Sequence, residues 1–106
     1  MADWWAERDL LITPTAGAPP PELGWFTGAG PKQEGGRIAG FIPYTAQFNV
    51  TGQPAVSLPL HRTPGGLPVG VQLAAAYGRE DLLVRVASQV EQAAPWADGH
   101  PPLEPE

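Results

Sequence analysis

The sequence predicts an α/β chain on three observations. Two short runs, AVSLPL from Ala55 and PVGVQLAA from Pro68, alternate apolar residues with small or polar ones. A turn-forming stretch, HRTPGG, joins them. After them GREDLLVRVASQVEQAA, from Gly78, repeats apolar residues at helical spacing. A period of two places alternate side chains on opposite faces of a strand, and a period near 3.6 places them on one stripe of a helix.

The totals bound the rest. A chain of 106 residues forms one small domain with a thin core. Its 14 prolines and 13 glycines crowd the segment from Pro14 to Gly40 and the tail after Pro95, so residues 15–40 read as a variable loop and 96–106 as a loose Pro-rich tail, with Trp96 alone expected to be tied down. A net charge of -5 with scattered Lys and Arg argues against nucleic acid, whose affinity rests on clustered cations. No apolar run approaches the ~20 residues that span a bilayer. Cysteine is absent, which removes disulfides and thiolate metal sites. The opening MADWWAERD is acidic and unlike a signal peptide, so a cytoplasmic location is expected.

In chain order, residues Ala2 to Arg8 read as the last turns of a helix carrying Trp4, Trp5 and Arg8 on one side. DLLIT is a short apolar run, expected to be a strand buried on both faces. The following loop contains GAGPKQ, which lacks the Gly-Lys-Ser/Thr ending of a phosphate loop, and no cofactor is expected. Its Trp25 and Phe26 either line a pocket, which makes them the candidate substrate-binding pair, or anchor the loop onto the body, and the anchoring role is the one favoured. Phe41, Tyr44, Thr45 and Phe48 have helical spacing, and Thr51 and Gly52 end that helix.

The first alternating strand puts Val56, Leu58 and Leu60 on one face, with Ala55, Ser57 and Pro59 on the other. Pro59 cannot donate to a ladder and belongs at a strand end or an unpaired edge. The second strand sets Val69, Val71 and Leu73 against Gly70, Gln72 and Ala74, and the two form a hairpin. Gln72 is expected to be buried with hydrogen-bond partners. The closing helix carries Leu82, Leu83, Val86, Ala87, Val90 and Ala94 as its stripe, Glu80 and Asp81 at its positive end, and Pro95 as its stop.

Four strings taken in this order, DLLITPT (Asp9–Thr15), FNVTGQPAVSLPL (Phe48–Leu60), GLPVGVQLAA (from Gly66) and EDLL opening a helix that closes with APW, resemble the C-terminal end of the amidase signature family, whose members hydrolyse or transfer carboxamides. The resemblance covers nearly the whole chain apart from the segment between Thr15 and Phe41. It implies a part of a large α/β fold with a mixed central sheet, the two alternating runs being scaffold strands. Family members use a Lys, a Ser held in a cis peptide and a nucleophilic Ser within a Gly- and Ser-rich segment. No such segment is present, and the only lysine, Lys32, and the only serines, Ser57 and Ser88, sit on no Gly-rich turn. No catalytic residue is therefore assigned. His61 and His100 read as surface histidines without metal-ligand spacing.

Two functions follow from this. In one, the chain is the C-terminal fragment of an amidase, inactive alone, which needs an N-terminal amidase fragment to supply the Lys and both serines and meets a small amide substrate only in the complete enzyme, with Trp25 and Phe26 bordering the acyl-binding funnel. In the other, it is a non-catalytic binding module that covers its sheet edges as a homo-oligomer.

Overall fold

Three strands, β1 (Leu11–Pro14), β2 (Ala55–Arg62) and β3 (Pro68–Ala74), pair antiparallel in the order β1-β3-β2. The computed structural model describes residues 2–102, so residues 103–106 of the expected tail lie outside the described residues. Four helices accompany the sheet among the described residues: α1 (Ala2–Trp5), α2 (Pro31–Phe41), α3 (Ala46–Thr51) and α4 (Glu80–Ala93). None is long and apolar enough to cross a membrane.

Strand alternation separates two layers. Across the sheet Ile12, Leu73 and Val56 stand in one row, and Thr13, Gln72 and Ser57 in the next. The first row and its neighbours face α4, where Leu58, Leu73, Ala75 and Leu83 form a buried cluster flanked by Val86, Val90 and Trp96. Trp96 is thus held against the core although it lies beyond the helix. On the opposite face Ala74, fully buried, packs with Trp5 of α1 and Phe48 of α3. The Trp4 and Trp5 rings meet edge to face at 4.8 Å, which suits their quadrupoles.

Gln72 is 4% exposed. Its amide nitrogen donates to Thr13 Oγ1 at 3.0 Å and to the Tyr44 carbonyl at 2.9 Å, so burial of the polar head is compensated. Pro59 lies on the edge strand β2, in an irregularity of the register between Leu58 and His61. There its missing N–H breaks no regular ladder. Gly52 caps α3 at φ 76°, in the left-handed region, with its N–H on the Phe48 carbonyl, as the expected helix end requires.

Four expectations are corrected. Residues 15–40 are not all irregular, because α2 occupies Pro31–Phe41. Pro31 opens it and Glu34 suits its first turn, but none of its residues is buried, so no apolar stripe announces it. The helix expected from Phe41 starts instead at Ala46. Ile42 precedes Pro43 and is steered out of the helical region, ending α2 and leaving Pro43–Thr45 as a turn. β1 is not buried on both faces, since Ile12 is 64% exposed. Finally, β2 runs on to Arg62, which places His61 in the strand rather than in the turn.

At the start of α4 the Asp81 carboxylate takes hydrogen bonds from Arg79 Nε at 3.1 Å and Arg85 Nη2 at 2.9 Å. The Arg79 bond above all holds the Asp81 carboxyl below its ordinary value of 3.8. A depressed carboxylate adds stability that is present above its unfolded value and is lost as pH falls through its folded value. Circular dichroism is therefore expected to show a loss of α4 helicity on acidification below about pH 4 that is smaller in Asp81→Asn, and that shrinks in ~1 M salt because the pair is solvated. An equal acid loss in both proteins contradicts this. In a denaturant titration Leu73→Ala is expected to destabilise by about 2–5 kcal/mol, and Gln89→Ala, on the exposed side of α4, by less than about 0.5 kcal/mol. Comparable losses would refute the assigned faces.

Candidate functional site

Period-two alternation brings Thr13 and Thr15, Gly70 and Gln72, and Ser57 to the face of the sheet opposite α4. Thr15 continues the β1 ladder beyond its last assigned residue, its N–H donating to the Gly70 carbonyl at 3.1 Å. From there its hydroxyl reaches over Gly70 to Ser57, with Oγ1 and Oγ 2.7 Å apart. The absence of a side chain at Gly70 makes this contact possible: a Cβ there would stand 2.7 Å from Ser57 Oγ and 2.8 Å from Thr15 Oγ1. Those separations are far inside van der Waals contact, so a larger residue would displace both hydroxyls.

The hydroxyl pair stands between two hollows. One, of about 500 Å³, is walled by Pro14, Pro19, Pro20, Phe41, Pro59 and Val69. The other, of about 360 Å³, adds Thr45, Asn49, Gln53 and Gln72. The segment after β1 that forms the wall of the first is tied to the end of α2 by the Gly17 N–H on the Phe41 carbonyl at 2.9 Å.

Trp25 and Phe26 pack against α2. Their rings meet edge to face at 4.9 Å, Phe26 meets Phe41 in the same manner at 5.4 Å, and the Arg37 guanidinium lies 4.9 Å over Trp25 while donating to its carbonyl. The first hollow is lined by Phe41 and by neither Trp25 nor Phe26, so the pair reaches it through Phe41. Lys32 lies on α2, Ser57 on β2 and Ser88 on α4.

Chemically, the pair offers hydrogen bonds to a neighbour. Two hydroxyls sharing one hydrogen bond keep one O–H free to donate and lone pairs free to accept. Activation of a serine needs a base within hydrogen-bond reach, and the hydroxyl partner of Ser57 is Thr15. Among the described residues no Lys, His, Asp or Glu lines either hollow. Sequence reasoning placed Ser57, Gly70 and Gln72 on their faces but missed Thr13 and Thr15. The signal was their spacing of two within DLLITPT, which becomes informative only once β1 is known to lie beside β3.

A family model described as Amidase matches residues 1–84. The chain is 47% identical to a 6-aminohexanoate-cyclic-dimer hydrolase of Paenarthrobacter ureafaciens, across 94% of this chain and 22% of that protein. It is 41% identical to the putative amidase AmiC of Mycobacterium leprae, across 91% and 20% respectively. A solved structure of 6-aminohexanoate cyclic dimer hydrolase superposes with a TM-score of 0.78 at 44% identity, covering 90% of this chain and 21% of that one. The chain therefore spans about a fifth of the length of these relatives.

Gly70→Ala is expected to destabilise the protein by about 1–3 kcal/mol through the two collisions at the hydroxyl pair. Adding Ser57→Ala in the same molecule removes one collision and should recover part of that loss, so the two changes are non-additive in a denaturant titration. Strict additivity would show that the hydroxyl pair does not occupy the space above Gly70.

Proposed function

The chain belongs to the amidase family, and we propose that it serves the hydrolysis of carboxamide C–N bonds as the C-terminal part of a larger catalytic unit. In this role it supplies scaffold strands and a cavity wall, while a complementing portion brings the Gly- and Ser-rich segment with the catalytic Lys and both catalytic serines. Trp25 and Phe26, through Phe41, border the approach to the acyl-binding region. The cytoplasm is the compartment proposed for this work, an expectation that rests on sequence alone.

The observation that carries the reading is surplus surface. A folded monomer of 11.2 kDa exposes about 5,700 Å², and this chain exposes 7787 Å². Its radius of gyration is 16.4 Å, against about 13 Å for a compact domain of this length. Part of the surplus is apolar, with Val50 87%, Val84 68% and Ile12 64% exposed. The indole N–H of Trp5 is buried and meets no acceptor among the described residues, and buried indoles ordinarily find one. These are properties of a surface that another piece of protein completes. A second copy of the chain would also cover it, and the experiment separates the two occupants.

The purified chain is expected to show no turnover of simple aryl or aliphatic amides, and to gain both turnover and thermal stability when mixed with an N-terminal amidase portion carrying the Lys and both serines. A homodimer whose melt ignores that portion would carry the interaction-module reading instead. Turnover by the chain alone that disappears in Ser57→Ala, or a clean monomer with a sharp melt indifferent to the portion, would overturn the proposal.

A further inference from the structure

We infer that the open edge of β2, over residues 55–57, receives an extended strand of the complementing portion, one whose side chains alternate between apolar and polar. That such a portion exists rests on the amidase reading above; the form of the strand rests on the edge itself. β2 ends the sheet order β1-β3-β2. The Ala75 N–H donates to the Pro54 carbonyl at 3.1 Å, and an antiparallel strand aims the backbone groups of every second residue at its partner. Val56 and Leu58, opposite Leu73 and Val71, therefore also turn theirs toward β3, and Ala55 and Ser57 turn theirs away from the sheet. The register irregularity between Leu58 and His61 and the missing N–H of Pro59 close this stretch at one end. Proteins guard open edges with charge, proline or a cover, and residues 55–58 carry neither charge nor proline.

Two hollows flank this edge, and Val56 borders both. On the α4 side lies one of about 280 Å³, walled by Val56, Leu83, Val84 and Ala87 together with Ser88 and Glu91. On the opposite side Thr15 and Ser57 floor the hollow of about 360 Å³ that Thr45, Asn49 and Gln53 help to complete. Side chains of a strand alternate between faces, so a strand paired with β2 sends one residue in two toward each hollow. Apolar side chains on the α4 side gain by covering Val84, which is 68% exposed. Hydroxyl or amide side chains on the other side meet hydroxyl and amide partners. Glu91 belongs to neither ion pair among the described residues, both of which use Asp81, so a Lys or Arg beside the apolar residues completes the match. The relatives run to about five times the length of this chain, which leaves ample chain to supply such a strand. A second copy is the poorer occupant, because each chain carries a net charge of -5 and self-pairing brings like charges together.

The test has two arms. In the first, a capped heptapeptide that alternates threonine with valine and ends in lysine is titrated into the chain and followed by chemical-shift change and amide hydrogen exchange. It is expected to saturate, to slow exchange of the Ala55 and Ser57 amides, and to shift the Val84 and Ala87 signals. A peptide of the same composition with its threonines and valines in separate blocks should bind about tenfold more weakly, the effect of misplacing one apolar side chain. An added strand aims only every second N–H at β2, so N-methylation of one alternate set of peptide amides should abolish binding and of the other set leave it. Val84 is exposed, so Val84→Asn keeps the fold, and it should weaken the peptide about fivefold. Absence of binding, equal binding of the block peptide, tolerance of both methylated forms, or indifference to Val84→Asn overturns the site. Protection of Ala55 and Ser57 in the chain alone that grows with its concentration identifies a second copy as the occupant and overturns the proposal. In the second arm, the chain is mixed with an N-terminal amidase portion carrying the Lys and both serines, which is expected to protect the same two amides and to bind Val84→Asn about fivefold more weakly. Restored hydrolysis with both amides still exchanging freely overturns the site and leaves the hydrolase reading standing. Peptide binding as expected with no hydrolysis under any complementation overturns the hydrolase reading and leaves the strand site standing.

Discussion

The fold depends on one strand serving two unlike layers. β3 carries Val71 and Leu73 on the face that meets α4, and Gly70, Gln72 and Ala74 on the face that meets α1, α3 and the segment after β1. The first face is held by area removed from water, which is indifferent to direction. The second is held by close approach and by directed hydrogen bonds. A one-residue slip of β3 would put Leu73 among the hydroxyls and Gln72 against Leu83, so both faces enforce the same register. Gln72 contributes most to that precision. Its amide joins β1 through Thr13 and the turn before α3 through Tyr44, and only one alignment of the three segments satisfies both donors.

Much of this was legible because it is local and periodic. The hairpin, the α4 stripe, the burial of Gln72, the edge position of Pro59 and the anchoring of Trp96 all follow from residues read a few positions at a time. α2 was not legible, since a helix that contains three glycines and buries none of its residues has no stripe to detect. The partner of β1 was not legible either. Nothing local tells a strand which distant strand will lie beside it, and the Thr15–Ser57 contact exists only through that pairing.

Exposed apolar surface and the hydroxyl floor express the same condition from two sides. A chain equal to about a fifth of its relatives' length packs a buried cluster between α4 and the sheet, where Leu58, Leu73 and Leu83 are each 4% exposed, while Ile12 at the end of the same row stays open. Its other face is furnished but open. The polar row there is already hydrogen-bonded within the chain, so covering it expels water from a site whose geometry is set beforehand. Hydrogen bonds in a dried site of this kind are stronger than in water.

The sheet order β1-β3-β2 also divides the folding of the chain into a near and a far step. β2 and β3 are joined by a short turn closed by Thr63 and Leu67, and α4 follows directly, so hairpin and helix assemble with little loop closure. β1 must be recruited from the opposite end, Leu11 reaching Ala74 across most of the chain's length. It does so with four residues of strand, against a larger loop-closure penalty than the hairpin meets. Loop closure therefore predicts that β1 arrives last and leaves first. Thr15 leaves with it, so the floor of the hollow exists only while both ends of the chain are joined.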